Sequence, residues 1–129
     1  MALDKEKRDR SYQFGRLLAI YEKIERDTYG ETEKREPQAI RLQTAFIDRP
    51  MRTAMILQRS VGYYLAKQRF PGLRKWYRDM IDQIMEIISE FPENELDKRL
   101  DGAFLLGYSL QRIELTSRKR KQEEDNDAD

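Results

Sequence analysis

The sequence predicts an all-α fold: one compact bundle of about five helices, followed by a disordered acidic tail. Apolar residues recur three and four apart through most of the 129 residues, and no alternating run is long enough for a strand. A chain of this length can bury a core without disulfides, and this one has no cysteine. The bundle is expected over residues 1–121. The tail, residues 122–129, has Ala128 as its one apolar residue.

The first helix is predicted over residues 11–28. Ser11 suits the N-cap position, because its hydroxyl can accept a hydrogen bond from the first turn. Gly30, in the polar stretch YGETEKREP, can adopt the left-handed conformation that ends many helices. The apolar face of this helix comprises Phe14, Leu17, Leu18, Tyr21 and Ile24.

The second helix is short and is predicted over residues 37–47, since Pro37 suits a first turn and Pro50 disfavours helix at the residue before it. The third helix is predicted within residues 51–70. At about 100° per residue, its core face comprises Ala54, Leu57, Val61, Tyr64 and Leu65. Its opposite face comprises Arg52, Ile56, Arg59, Tyr63 and Lys67.

The fourth helix is predicted to follow the FPG turn at residues 70–72 and to end at Pro92, because its apolar residues alternate at spacings of three and four. The fifth is predicted to start at Asp97, a candidate cap. Because this last helix is apolar on most sides, we expect it to be the central helix. Gly102 and Gly107 would let its neighbours approach closely.

Composition argues against several classes of function. Neither histidine nor cysteine occurs, so the commonest general acid–base group and thiolate chemistry are both absent. We therefore expect no enzyme and no cofactor. The N-terminus is charged, and no apolar run approaches the roughly 20 residues that span a bilayer. A cytoplasmic protein without membrane contact is expected.

Charge is strongly segregated along the chain, although the net charge is only +1. No acid occurs between Asp48 and Asp79. Residues 37–78 carry nine bases and one acid, whereas residues 79–101 carry two bases and eight acids. A solvated helix face normally mixes signs, because opposite charges at i and i+4 support the helix. The basic segment therefore favours a nucleic-acid partner. Alternatively, it pairs with the acidic segment, within the monomer or in the next copy.

The candidate nucleic-acid contacts are bases of this segment and one tyrosine: Arg41, Arg49, Arg52, Arg59, Tyr63, Lys67, Arg69, Arg74, Lys75 and Arg78. Asp79, Asp82 and Glu86 lie three and four apart, a spacing that can share a metal or form an ordinary solvated face. A metal site in a bundle also needs ligands from facing helices, so no metal is expected. RKRK at 118–121 either binds phosphate or complements a helix C-terminus.

Two stretches carry a family resemblance. FGRLLAIYEKIERD near the start and GAFLLGYSLQR at residues 102–112 resemble the C-terminal helical domain of the large subunit of type I-C CRISPR interference complexes. In these Cascade systems the same domain is also made alone, as the small subunit. The resemblance covers roughly residues 14–118, with the stretches in the same order and at similar separations.

The resemblance implies a non-catalytic small subunit of a crRNA-guided complex. Such a subunit would stack in several copies beside the large subunit and the crRNA-backbone subunits, and it would support the R-loop by contacting the target and non-target DNA strands. The segregated charge predicts that copies meet head to tail. Two rivals remain: a helical adaptor that uses the arginines for protein contacts, and an enzyme whose acidic cluster binds metal.

Overall fold

The computed structural model describes residues 2–30 and 36–127, with side chains of the last helix described only to Ser117. Over these residues the chain is helical and has no strand, which confirms the all-α prediction. A 3-10 turn, Glu93–Glu95, also occurs. The helices are α1 (Arg10–Tyr29), α2 (Gln38–Arg41), α3 (Gln43–Asp48), α4 (Pro50–Ala66), α5 (Pro71–Ile88) and α6 (Ala103–Asp127). No helix in the described ranges is long and apolar enough to cross a membrane.

The central helix is α1, and the prediction that the last helix is central was wrong. Every residue from Ser11 to Glu22 is buried, including polar ones. The helices α4, α5 and α6 each pack on α1. Burial of polar side chains all round α1 is possible because other helices and the segments before α1 and α6 supply hydrogen-bond partners, which its own sequence does not reveal.

Two glycines bring the backbones of α1 and α6 into contact. A Cβ on Gly15 would lie 2.1 Å from the carbonyl oxygen of Phe104, and a Cβ on Gly107 would lie 2.1 Å from that of Tyr12. The predicted role of Gly107 is confirmed. Gly102 has no such role, because a Cβ there would meet nothing within 4 Å.

A buried arginine ties α1 to α5 and α6. The Arg16 guanidinium is fully buried, donating through Nε to Gln111 Oε1 (2.9 Å) and through Nη1 to the side-chain oxygens of Gln13 (2.8 Å) and Gln83 (3.1 Å). Burial lowers the pKa of Arg16. The carbonyl of Lys5 accepts hydrogen bonds from Arg16 and from Gln83, so the N-terminal segment covers this cluster.

The first helix is capped by Asp9 and not by Ser11. The Asp9 carboxylate accepts from the backbone N–H of Tyr12 at 3.0 Å, so α1 begins one residue earlier than predicted. The Ser11 hydroxyl instead accepts from the N–H of Asp101 at 3.0 Å and joins α1 to the segment before α6. Gly30, with φ 79°, is the C-cap as predicted.

The predicted second helix is divided into α2 and α3 at Leu42, where ψ is 11°. The start of α2 is fixed by a residue of α1: the buried Glu25 carboxylate accepts hydrogen bonds from the backbone N–H of Gln38 at 2.8 and 3.0 Å. Residues 31–35 of the predicted loop before it lie outside the described part. The third helix ends earlier than predicted, at Ala66, and Pro71 begins α5.

The last helix starts later than predicted, at Ala103. Its first backbone N–H groups donate hydrogen bonds to Asp101. Its backbone is helical to Asp127, into the acidic segment for which the sequence predicts disorder. Side chains beyond Ser117 and residues 128–129 lie outside the described part. The division into a bundle and a disordered tail therefore stays a prediction.

Candidate nucleic-acid interface

The helix α4 carries the central part of the candidate interface. It begins at Pro50, which occupies the first turn without needing a donor. Asp97 interacts with the start of α4 and is not the predicted cap of the last helix. Its Oδ1 accepts a hydrogen bond from the backbone N–H of Arg52 at 3.0 Å. The carboxylate thus lies at the positive end of the α4 dipole and fixes the start of the basic face.

The two faces of α4 are those that the helical spacing predicts. The predicted core residues are all buried: Ala54, Leu57, Val61, Tyr64 and Leu65. The residues predicted to face outward are all exposed: Arg52, Ile56, Arg59, Tyr63 and Lys67. The structure therefore brings four candidate contacts together on one side of a single helix.

Tyr63 and Lys67 contact each other within this face. The tyrosine is 57 % exposed, and Lys67 Nζ lies 4.3 Å from the centroid of its ring. The neighbouring Tyr63 side chain raises the pKa of Lys67. The other neighbour of the ring is Tyr64, edge-on at 6.0 Å between centroids. A nucleobase that stacks on Tyr63 must therefore use the ring face opposite Lys67 or displace the ammonium.

The cations of α4 face no acid of the described part of the chain. Within 4.0 Å of the side-chain nitrogens of Arg52, Arg59 and Lys67 there is no carboxylate oxygen in residues 2–30 and 36–117. Among the described residues, intramolecular pairing, the alternative explanation of the basic segment, occurs at two other candidates. Arg49 lies 3.8 Å from Asp97, and Lys75 lies 2.6 Å from Asp79. Pairing with acids of the described ranges therefore does not account for the α4 face.

The remaining candidates are distributed over other elements. Arg41 is the last residue of α2, Arg49 precedes α4, and Arg69 lies exposed in the turn between α4 and α5. Arg74 is half-buried at the start of α5. The exposed candidates of α5 are Lys75 and Arg78.

The outer side of α5 has a basic half and an acidic half. Arg74, Lys75 and Arg78 lie in its N-terminal half, and the acids follow at Asp79 in the middle of the helix and at Asp82 and Glu86 in its C-terminal half. This order opposes the helix dipole, which favours acids near the N-terminus and bases near the C-terminus. Among the described residues, no group of three or more carboxylates is placed to hold a metal ion.

Two apolar residues for which no contact role was predicted also lie on the α4 face. Met55 and Ile56 are both exposed on α4, where they interrupt the row of bases. The helical spacing does place both within about 60° of Arg52. Apolar, aromatic and arginine side chains together suit contact with unstacked bases and also with proteins.

Comparison with known proteins gives one family. The family model described as CRISPR-associated protein (Cas_Csd1) matches residues 1–116. The match extends from before α1 to almost the end of the described α6 side chains, and so includes the whole α4 face. No curated protein matches the chain.

Proposed function

The chain belongs to the Csd1 family of CRISPR-associated proteins, and from this premise we propose that it is a non-catalytic small subunit of a crRNA-guided type I-C interference complex. The family match confirms the resemblance carried by the two helical stretches. In this proposal the subunit acts in the cytoplasm. It stabilises the R-loop by holding the separated DNA strands, while cleavage belongs to another protein.

One observation carries the proposal: Arg52, Arg59 and Lys67 lie exposed around an exposed tyrosine on α4 and its C-cap, and their side-chain nitrogens form no ion pair with a carboxylate of the described residues. Cations of this kind neutralise phosphates and release counterions, and an exposed aromatic ring offers a stacking platform. Exchange of a DNA duplex for an RNA–DNA heteroduplex is nearly balanced in free energy. A few contacts to a separated strand are therefore enough to favour the open state.

The partners in this proposal are the large subunit, the crRNA-backbone subunits, further copies of the chain and the two DNA strands. Head-to-tail contact between copies is supported by α5, whose outer side has opposite charges in its two halves. The acidic half of one copy can meet the basic half of the next in a contact that propagates. Arg74, Lys75 and Arg78 would then contact a neighbouring copy, and α4 would remain free for DNA.

The test removes the three α4 cations together, as Arg52→Ala, Arg59→Ala and Lys67→Ala. If each contacts one phosphate of a single strand, the slope of log affinity against log salt should fall by about 2, at roughly 0.7 per contact. Folding should hardly change, because exposed charges contribute little to stability. R-loop formation by the complete complex is the second readout, with incorporation of the subunit measured separately.

A matched control removes three other exposed charges, as Lys7→Ala, Arg8→Ala and Lys98→Ala. This variant should keep the salt slope, which separates the α4 face from net charge. Unchanged R-loop formation and salt slope in a fully assembled α4 variant would refute the DNA role.

The alternative function, a helical protein–protein adaptor, is favoured by one observation: Met55 and Ile56 lie exposed among the arginines, a composition typical of protein interfaces. Loss of incorporation by the triple α4 variant would assign this face to protein contacts. Tyr63→Ala distinguishes the two functions further. It should weaken DNA binding by about 1–3 kcal/mol if a base stacks there, whereas Tyr63→Phe should retain the stacking.

A further inference from the structure

A cleft lies beside the start of α4, between the α3–α4 junction and the segment that leads from the 3-10 turn to α6. Its volume of about 580 Å³ is within the roughly 300–1,000 Å³ typical of ligand sites. The residues that line it are all polar or charged: Asp48, Arg49, Asn94, Asp97, Lys98 and Arg99. Three bases and two acids leave one positive charge in excess, which suits a ligand group with a single negative charge.

Two arginines reach across this cleft from opposite walls. Arg49, the N-cap residue of α4, has Nη1 at 3.8 Å from Asp97 Oδ2, and Arg99 has Nε at 3.6 Å from Asp48 Oδ1. Both distances are longer than a hydrogen bond, and the two arginine side chains are 67 % and 78 % exposed. Among the described residues neither guanidinium donates a hydrogen bond. Both therefore have N–H groups available for a ligand in the same cleft.

The wall that carries Arg99 is held in place by backbone contacts. The Arg10 guanidinium donates to the carbonyls of Lys98 (2.7 Å) and Arg99 (3.2 Å). The N–H of the buried Leu100 donates to the carbonyl of Ile47 at the end of α3, at 2.9 Å. Because this backbone is fixed before a ligand arrives, binding has to order only exposed side chains.

We propose that Arg49 and Arg99 together bind one phosphodiester of the DNA strand that contacts α4, at the point where the strand passes the start of the helix. The identity of the strand rests on the proposed function; the charge of the bound group rests on the cleft. A phosphodiester carries one negative charge, and its two free oxygens match the forked donors of a guanidinium. It replaces the weakly held carboxylates of Asp48 and Asp97 as the partner of both arginines.

The position of the cleft favours a phosphate over a carboxylate of a partner protein. Arg49 directly precedes α4, and Asp97 accepts from the N–H of Arg52, so the cleft adjoins the α4 face. A strand held by Arg52 has a further phosphate at every nucleotide, whereas a carboxylate needs a second partner at the same edge. Lys98 supplies the excess charge and not the contact. The control variant of the α4 test, which lacks Lys98, therefore keeps this phosphate and its salt slope.

The test measures binding of the isolated chain to a single-stranded oligodeoxythymidine at several salt concentrations, and R-loop formation by the complete complex in the same series. Arg49→Ala with Arg99→Ala should lower the slope of log affinity against log salt by about 0.7, the value for one phosphate of a single strand. A fall of about 1.4 indicates two separate phosphates, and an unchanged slope indicates none; either result overturns the shared contact. The melting temperature should stay unchanged, because these exposed pairs contribute little to stability.

Two further variants separate the cleft from charge in general. Asp48→Asn removes a carboxylate that competes with the phosphate for Arg99, so affinity for the oligonucleotide should rise by about two- to fivefold; unchanged or weaker binding would contradict the proposal. The matched control is Arg8→Ala with Arg26→Ala, two arginines that are 61 % and 44 % exposed and also lie near carboxylates. It should keep the salt slope, and a fall as large as that of the cleft variant would overturn the assignment.

A single thiol identifies the molecule in the cleft. Because the chain has no cysteine, Asn94→Cys places one unique site for a thiol-directed photo-crosslinker at an exposed position of the lining. In the complete complex with target DNA, an adduct with DNA supports the proposal. An adduct with crRNA or with a protein subunit in place of DNA overturns it.

Failure of this proposal can be told apart from failure of the proposed function. If the cleft variant keeps the slope while the triple α4 variant lowers it by about 2, the cleft proposal alone is overturned. If the wild-type chain does not bind the oligonucleotide and the complex forms no R-loop, the DNA function fails, and the cleft proposal with it. If the slope falls in the cleft variant and not in the triple α4 variant, the phosphate contact is supported and the DNA role of α4 is refuted.

Discussion

The contact between the α1 and α6 backbones predicts that Gly15→Ala and Gly107→Ala are severely destabilising. In each case the new Cβ would lie 2.1 Å from a backbone oxygen of the other helix, whereas Cβ atoms essentially never come within 3.0 Å of such a neighbour. The two helices must therefore separate by about 0.9 Å at the contact, since neither oxygen belongs to a side chain that can rotate away.

The size of the expected loss in stability follows from the contacts that a separation of α1 and α6 would disturb. Overpacking a core costs about 1–3 kcal/mol and occasionally more. The shift also stretches two hydrogen bonds between these helices, from Arg16 to Gln111 (2.9 Å) and from Tyr108 to Glu22 (2.7 Å). Alanine recovers about 1 kcal/mol through its better helix propensity. We expect a net loss of about 3 kcal/mol in the free energy of unfolding, a large part of the 5–15 kcal/mol typical of domains.

The assay is urea denaturation of the isolated chain followed by circular dichroism, with Gly62→Ala as the control. Gly62 lies within α4, four residues before its end, and a Cβ there would meet nothing within 4 Å. This change should stabilise the chain by about 1 kcal/mol, because it removes backbone freedom without a clash. Wild-type stability in Gly15→Ala, with the expected gain in Gly62→Ala, would refute the close contact of α1 and α6.

Three further predictions concern buried tyrosines. Tyr21→Phe should leave stability unchanged or raise it by about 1 kcal/mol in urea, because the buried Tyr21 hydroxyl has no hydrogen-bond partner in the described ranges. Tyr108→Phe should instead cost about 1–3 kcal/mol, since it removes a donor from the buried Glu22 carboxylate; equal effects of the two changes would contradict this reasoning. Burial raises the pKa of Tyr21, Tyr77 and Tyr108 above the ordinary value of 10.0, so the folded chain holds these protons more tightly than the unfolded chain. The free energy of unfolding should therefore fall above about pH 10, by up to ~1.4 kcal/mol per pH unit for each tyrosine. Tyr77→Phe, which also removes the hydrogen bond to Asp27, should reduce that slope by one such contribution in alkaline urea titrations, and an unaltered slope would count against it.

The α4 face could be predicted because the relevant information is local. Leu57 and Val61 are apolar at helical spacing, and Arg59 and Lys67 fall on the opposite side by geometry alone. Helical spacing does not indicate which of the bases lie beside acids. Arg49 lies beside Asp97 because a segment 48 residues away in sequence folds over the start of α4.

The helical class, the two sides of α4 and the segregation of charge could all be predicted, since each depends on the order of residues along the chain. The central position of α1 and the exposure of apolar side chains on α6 depend instead on how the helices pack against one another. A hydrophobic pattern indicates which side of a helix can be buried. It does not indicate whether another helix covers that side. Arg16 illustrates the difference: it is a polar residue by sequence, yet it is buried because Gln83 and Gln111, 67 and 95 residues away, accept its hydrogen bonds.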